Sequence, residues 1–202
     1  MTQPFDSNFE LPSLREIDKE RGEFWVGNPF QFSSAGENLS SYEHNGVHLN
    51  DGDGEFIDMS FLTGADSPGD GRSVVSCDIT GDGMPELLVR QVGGSSLIVY
   101  ENRFPKANWL RVSLRGTKSN RQGIGSKVVC EVEGRTIRRE LYPATNFQSQ
   151  SPALVELGLG DAKKIKTLKI SWPSGIEQEL DDLPINSHIE IEESGAFRII
   201  NH

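Results

Sequence analysis

Cysteine and histidine are scarce in this sequence of 202 residues, which holds two cysteines and four histidines. Cys77 and Cys130 do not form the CxxC spacing that zinc sites and redox-active pairs use, and no two histidines are spaced as ligands around a carboxylate. Both cysteines lie among strand-forming residues, which predicts buried free thiols. A disulfide between the two halves of the chain is the alternative.

Long apolar runs are missing as well. No stretch approaches the roughly 18 apolar residues that a membrane-spanning helix needs. The chain begins MTQPFD, without the basic and apolar regions of a secretory leader. We therefore expect neither a membrane span nor a leader in this chain.

Basic residues are outnumbered by acidic ones. The sequence has 20 Lys and Arg and 30 Asp and Glu, which gives a net charge of −10. This excludes nucleic acid as a partner of the whole chain, since phosphate binding needs clustered basic side chains. The distribution is uneven: residues 1–105 carry 18 acidic and 6 basic side chains, and residues 106–141 carry 9 basic and 3 acidic. The basic segment is either a binding face for an anion or partner, or a solvated strand face on an acidic neighbour. The face would consist of Arg115, Lys118, Arg121, Arg138 and Arg139.

The sequence is rich in short strand-like segments, and its 21 glycines and 10 prolines predict an all-β fold with many turns. Residues 1–44 form an irregular segment in which residues 12–21 fit a short amphipathic helix. Residues 45–103 contain five predicted strands of one antiparallel sheet, with a tight hairpin turn at 51–54. Residues 104–202 contain seven strands, which predict a β-sandwich or small barrel. The predicted strands are 47–50, 55–59, 72–77, 87–90, 96–100, 109–114, 126–132, 136–141, 154–157, 165–172, 176–180 and 188–191.

One acidic loop, residues 78–86, has the chemistry of a metal site. Calcium takes six to eight hard oxygen ligands, which a tight loop supplies from alternate residues. Asp78, Thr80 and Asp82 stand at positions one, three and five, the carbonyl of Met84 at seven and the carboxylate of Glu86 at nine. The loop lies between predicted strands and closes earlier than an EF-hand, whose last ligand is at position twelve.

This loop resembles the calcium loop of FG-GAP/VCBS repeats, the blades of integrin-type β-propellers, which read Asp-x-Asp/Asn-x-Asp-Gly-x-x-Asp. Thr80 and Glu86 depart from that pattern, so the resemblance implies one weak calcium site. The alternative is an acidic turn that binds its own backbone without a metal. The resemblance covers residues 45–103, little more than one repeat, and a closed propeller needs several. The blade would therefore cover its edges against the C-terminal half, a partner or a second copy.

Residues 104–194 resemble an ASPIC/UnbV domain, a module that typically follows FG-GAP repeats. The stretches that carry this resemblance are NWLRV at 108–112, LRGTKSNRQGIG at 114–125, FQSQS at 147–151, LGLG at 157–160 and WPSG at 172–175. Read from their residues, the 116–125 loop is a structural hairpin or an anion site built from backbone amides. Trp172 would end a strand and be buried, or stack on a sugar.

The sequence contains no pattern of a catalytic centre, since Ser174 lacks the Gly-x-Ser-x-Gly context of a nucleophile elbow. The two resembled families imply adhesion rather than enzymatic activity. We therefore expect a calcium-stabilised interaction module that binds another protein or a cell-surface polysaccharide. The alternatives are a lectin-like carbohydrate-binding protein and a metal-dependent hydrolase. Localisation stays undetermined, because the resembled families are usually exported whereas this chain shows no leader.

Overall fold

The computed structural model describes residues 3–4, 37–38, 44–67, 69–92, 97–144 and 146–200. Within these ranges there are 15 short strands and one helix of four residues, which confirms the all-β prediction. None of the helical structure described is long and apolar enough to cross a membrane. The helix predicted at residues 12–21 lies outside the described residues.

The chain divides into two compact units, one of residues up to 72 with 90–98, the other of 73–89 with residues from 99 onward. In the first unit, β1 (Gln3–Pro4) pairs with β2 (Glu37–Asn38), and β3 (His48–Asn50) pairs with β4 (Phe56–Asp58). The amide of Asp51 donates to the carbonyl of Glu55 at 3.2 Å. This contact closes the β3–β4 turn and confirms the predicted hairpin.

The strands β5 (Asp70–Cys77), β6 (Glu86–Val92) and β7 (Leu97–Tyr100) form a three-stranded sheet with β6 in the centre. The sequence predicts a single sheet from these strands together with β3 and β4, whereas the structure has two sheets. The difference arises after β4, where the Asp58 carboxylate accepts the Ser60 amide at 2.9 Å. The chain there enters helix α1 (Ser60–Thr63) instead of the hairpin turn that a continuous meander requires.

The second unit contains a β-sandwich of two four-stranded sheets. Their orders are β11-β8-β14-β15 and β10-β9-β12-β13. Strands β8 and β14 run parallel, and the other pairs within these sheets are antiparallel. Neither sheet closes into a barrel, so the sandwich alternative is the one observed. The strands are β8 (Asn108–Arg115), β9 (Lys127–Val132), β10 (Arg135–Glu140), β11 (Val155–Gly160), β12 (Ile165–Ser171), β13 (Glu177–Leu180), β14 (Ser187–Glu192) and β15 (Phe197–Ile199).

Both sheets of the sandwich contribute alternate side chains to one hydrophobic core. Val112 of β8, Leu168 of β12 and Ile189 of β14 are fully buried in it, and each such side chain contributes roughly 1.5–3 kcal/mol. Cys130 is buried in the same core as a free thiol, and burial raises the pKa of that thiol to about 11. Cys77 is also free but only half-buried. The prediction of free thiols is therefore confirmed for both cysteines, whereas that of burial holds for Cys130 alone.

Trp172 directly follows β12, which ends at Ser171, and it is buried as the sequence predicts. Its ring nitrogen donates to the Gln178 side chain at 2.9 Å, and the Gly175 amide donates to the Trp172 carbonyl at 2.9 Å, which closes the turn. The indole is 3% exposed, so it offers no surface for stacking on a sugar.

Candidate metal centre and adjoining cleft

The candidate site lies on the outer face of the β11-β8-β14-β15 sheet. Along β8, Leu110, Val112 and Leu114 point into the core, so Trp109, Arg111 and Ser113 point to the opposite face. Strand pairing places Glu156 of β11 and His188 of β14 directly beside Arg111. The middle of the sheet therefore carries a row of one acidic, one basic and one imidazole side chain on its outer face.

Arg111 is buried although it lies on the outer face, because the acidic loop covers it. Its Nη2 donates to Asp78 Oδ2 at 2.8 Å, and the two side chains are 8% and 1% exposed. On the other side, its Nε donates to Glu156 Oε1 at 3.2 Å. The guanidinium carbon lies 5.4 Å from the centre of the Trp109 ring, within the range of a cation–π contact.

Within the acidic loop, Asp78 organises the backbone. Its Oδ1 accepts the amides of Gly81 at 2.7 Å and Asp82 at 3.2 Å. Its Oδ2 accepts the amide of Gly83 at 2.8 Å in addition to the Arg111 guanidinium. Gly83 has φ +83°, the left-handed conformation that glycine adopts without steric cost. The first of the five predicted ligands is therefore also the residue that shapes the loop.

The three predicted carboxylate ligands converge on the Thr80 hydroxyl. Thr80 Oγ1 lies 3.4 Å from Asp78 Oδ1, 3.1 Å from Asp82 Oδ1 and 3.5 Å from Glu86 Oε1. A hydroxyl has one proton and can donate to only one of these oxygens. Glu86 is 3% exposed, whereas the Asp82 side chain is 36% exposed, so water reaches the cluster from the Asp82 side. Three carboxylate oxygens gathered around one hydroxyl are hard donors of the kind that calcium accepts.

No group of three or more His, Cys, Asp or Glu side chains in the described ranges has the arrangement of a metal site. In the loop, the Thr80 hydroxyl stands between the three carboxylates. An ion here would therefore take that hydroxyl as a ligand, together with the Met84 carbonyl and water. Hydroxyl and carbonyl oxygens are both hard donors, so the residues present fit calcium.

The two carboxyl groups that flank Arg111 are shifted in opposite directions. Burial would raise the pKa of Asp78, but the hydrogen bonds from Arg111 and from the amides of Gly83 and Gly81 outweigh burial and lower that pKa. Burial raises the pKa of Glu156, and Arg111 offsets it only in part. Asp78 therefore keeps its charge more readily than a free aspartate, and Glu156 takes up a proton more readily than a free glutamate.

A cleft of about 330 Å³ opens beside this cluster within the second unit. Ser151 and Pro152 line one side of it. Tyr142 and Phe147, which precede these residues in the chain, are 59% and 69% exposed but do not line the cleft. Its charged and polar lining residues include Asp78, Arg111, Arg139, Glu140, Glu156 and His188.

The predicted anion site at residues 116–125 is filled by a side chain of the protein itself. Glu193 Oε2 accepts the amides of Thr117, Lys118 and Ser119 at 2.7, 2.6 and 2.8 Å. Its Oε1 accepts the hydroxyls of Ser119 and Ser174, and the residue is 3% exposed. Burial alone would raise the pKa of Glu193, but the hydrogen bonds outweigh burial and lower that pKa well below its ordinary value. The loop amides therefore bind an internal carboxylate.

The residues of the predicted basic face are all on or near the sandwich surface. Arg138 and Arg139 are neighbours on β10, so their side chains leave opposite faces of that strand. Arg139 lines the cleft, and Arg115 lies 3.6 Å from Glu192 as an exposed ion pair. Lys118 and Arg121 are exposed in the 116–125 loop. The structure does not show a single plane that holds all five.

Sequence reasoning missed Arg111, Glu156, His188 and Glu193 as site residues. For Glu193 a signal exists, because Ile189, Ile191 and Glu193 follow one another at the spacing of a single strand face. A carboxylate at a core-facing position needs hydrogen-bond partners, although the alternation does not say which. For Arg111 no such signal exists, because an outward arginine on a strand is ordinarily solvated.

Residues 116–197 match the family model described as ASPIC and UnbV. This confirms the ASPIC/UnbV domain predicted for the C-terminal half. The match spans β9 to β14 together with the loop that Glu193 holds. Comparison with curated proteins gives no significant match.

Proposed function

We propose that this chain is a non-catalytic interaction module in which calcium, bound by residues 78–86, stiffens a sheet that binds a protein partner. The observation that carries the proposal is that aliphatic side chains are exposed on all three strands of the β5-β6-β7 sheet, of which β5 and β6 are joined by that loop. Val74 of β5, Leu87 of β6 and Val99 of β7 are 42%, 36% and 52% exposed. We infer that they contribute to one apolar interaction surface.

The loop and the exposed strands are connected directly. Strand β5 ends at Cys77, immediately before the loop, and β6 begins at Glu86, its last proposed ligand. Asp78, Thr80, Asp82, Glu86 and the Met84 carbonyl would hold the ion. Its positive charge would offset the repulsion among the three carboxylates. The resemblance of the loop to FG-GAP calcium loops supports this assignment.

The charge of the chain favours a basic protein as the partner. The whole chain has a net charge of −10. A basic surface with an apolar centre would complement both this charge and the exposed aliphatic residues. A second copy of this chain fits less well, because two chains of net charge −10 repel each other. Polysaccharides offer little apolar surface to cover aliphatic side chains.

Calcium is expected to raise the melting temperature of the wild-type protein by several degrees. Ligand at a tenfold excess over Kd adds about 1.4 kcal/mol, and we expect a Kd of roughly 10⁻⁴ to 10⁻³ M. Asp82→Ala should lose nearly all of this gain. Asp53→Ala, in the similar but separate β3–β4 turn, should keep it. Thermal melts with calcium and with chelator provide the measurement, and identical melts of all three proteins in both conditions would contradict the calcium assignment.

Partner binding is expected to depend on the apolar sheet. Val99→Glu should abolish capture of a basic protein in calcium, because a carboxylate would then lie in an interface that excludes water. Ile199→Glu is the matched control, since Ile199 is also an exposed aliphatic residue, at 54%, but lies on β15. The captured protein is then purified and its affinity for each variant measured. Equal affinity for wild type and Val99→Glu would refute this surface.

Carbohydrate recognition is the second candidate, and the cleft in the second unit favours it. The charged side chains that line the cleft, such as Arg139 and Glu140, can bind the hydroxyls of a sugar. The exposed rings of Tyr142 and Phe147 can stack on a sugar. Binding on a glycan array that survives chelation and is lost in Tyr142→Ala would support this candidate. If the array shows no reproducible ligand, protein binding remains the one proposed function.

A further inference from the structure

We propose that Arg111 acts as a built-in cation of the 78–86 loop, which holds the loop folded without calcium and weakens its affinity for calcium. This inference rests on the proposed calcium site and concerns how that site is regulated. It follows from the position of one guanidinium relative to the first proposed ligand.

Arg111 and calcium would share one carboxylate. The Arg111 Nη2 lies 2.8 Å from Asp78 Oδ2, whereas Asp78 Oδ1 lies 3.4 Å from the Thr80 hydroxyl where the carboxylates converge. An Asp78 carboxylate in this position contacts a positive charge before any ion binds. That charge reduces the repulsion among the loop carboxylates, and it also repels a second cation on the same group.

Arg111 is not free to leave when an ion arrives. The sandwich fixes it independently of the loop, through Glu156 Oε1 at 3.1 Å from Nη2 and through the Trp109 ring. Glu156 and Arg111 are paired residues of neighbouring strands. The guanidinium is therefore a permanent part of the site, and calcium must bind in its presence.

Burial strengthens the electrostatic interaction between Arg111 and Asp78. The Arg111 side chain is 8% exposed and that of Asp78 is 1% exposed, so water and salt screen their interaction poorly. An exposed ion pair gives a useful comparison: Arg115 and Glu192 are 55% and 47% exposed at 3.6 Å. Substitution at Arg115 should change neither loop stability nor calcium affinity.

The test titrates calcium chloride into four full-length proteins by calorimetry and melts each of them in chelator. The proteins are wild type, Arg111→Met, Arg111→Lys and Arg115→Met. Arg111→Met should melt well below wild type in chelator and bind calcium at least about tenfold more tightly. Arg111→Lys keeps the charge and should bind calcium within about threefold of wild type. Arg115→Met should match wild type in both measurements.

Two results would overturn the proposal while the calcium site survives: wild-type affinity in Arg111→Met, or equally tightened binding in Arg111→Lys. Absence of calcium binding in all four proteins would overturn the calcium site and this inference together. If Arg111→Met folds only when calcium is added, that result supports the proposal. If Arg111→Met folds neither with calcium nor in chelator, the calcium affinity of Arg111→Lys decides. An affinity within about threefold of wild type then supports the proposal, and tighter binding overturns it.

Discussion

Replacing Glu193 with alanine is expected to lower the melting temperature by about 10 °C or more, because three backbone amides and three hydroxyls lose their acceptor inside the protein. The amides of Thr117, Lys118 and Ser119 all point at one buried oxygen. No other described group replaces it in the structure. Glu193→Gln should fall between wild type and Glu193→Ala, since its carbonyl oxygen still accepts the amides but its charge is gone.

Glu192 is the matched control for this prediction. It is the neighbouring residue, of the same type, with a side chain 47% exposed in a loose ion pair with Arg115. Exposed ion pairs contribute little to stability, so Glu192→Ala should shift the melting temperature by only about 1–2 °C. Equal shifts for Glu192→Ala and Glu193→Ala would show that the 116–125 loop does not depend on the Glu193 carboxylate.

The same carboxylate predicts a pH dependence of stability. Because folding lowers the pKa of Glu193, the unfolded chain binds its proton first as the pH falls. The stabilisation by Glu193 is complete above the ordinary glutamate pKa of 4.5 and is lost progressively below it. Urea unfolding between neutral and acid pH should show a steeper loss in wild type than in Glu193→Gln. Parallel curves would contradict the shifted pKa.

Gly83→Ala is expected to destabilise the protein by about 2–5 kcal/mol, the sum of two separate costs. A Cβ atom at Gly83 would overlap the indole ring of Trp109, which adds roughly 1–3 kcal/mol. The left-handed conformation, φ +83°, adds about 1–2 kcal/mol for a residue with a side chain. The variant should also bind calcium poorly, because the loop must move to relieve the overlap.

Gly81 in the same loop separates the two costs. It has φ +76°, and a Cβ atom added there meets no other atom within 4 Å. Gly81→Ala should therefore cost only the conformational term, about 1–2 kcal/mol. Urea unfolding followed by tryptophan fluorescence measures both variants. If the two alanine variants lose the same stability, close packing of the loop on Trp109 is not important.

The acidic loop contacts one buried cation of the protein, Arg111, and one exposed cation, Lys106, whose Nζ lies 4.0 Å from Asp82 Oδ2. The proposed calcium ion would add a further positive charge. A loop that keeps its fold without the ion and gains stiffness with it would respond to calcium in a graded manner. The melts in chelator and in calcium measure the two contributions separately.

Much of this protein follows from local sequence patterns. Alternation of apolar and polar residues located the twelve predicted strands, and the Asp-Gly pairs located the β3–β4 turn. On β10, the buried Ile137 is followed by the exposed Arg138, in keeping with strand alternation. Such patterns suffice because the period of a strand and the backbone needs of a turn are set by neighbouring residues. The strands β1, β2 and β15 were not predicted, and β1 and β2 have only two residues each, too few to show alternation.

Only the tertiary structure decided which residues that lie far apart in the chain come into contact. Strand β8 pairs in parallel with β14, and no local pattern specifies that pairing. In the sequence, Arg111 has the position of a solvated outward residue, and only the fold shows that the loop at Asp78 covers it. The amides that donate to Glu193 belong to a loop more than 70 residues earlier in the chain. The sequence by itself determined where the strands and the acidic loop lie, since those depend on adjacent residues. Burial and charge pairing depend on which surfaces meet in the folded protein, and only the fold brings those surfaces together.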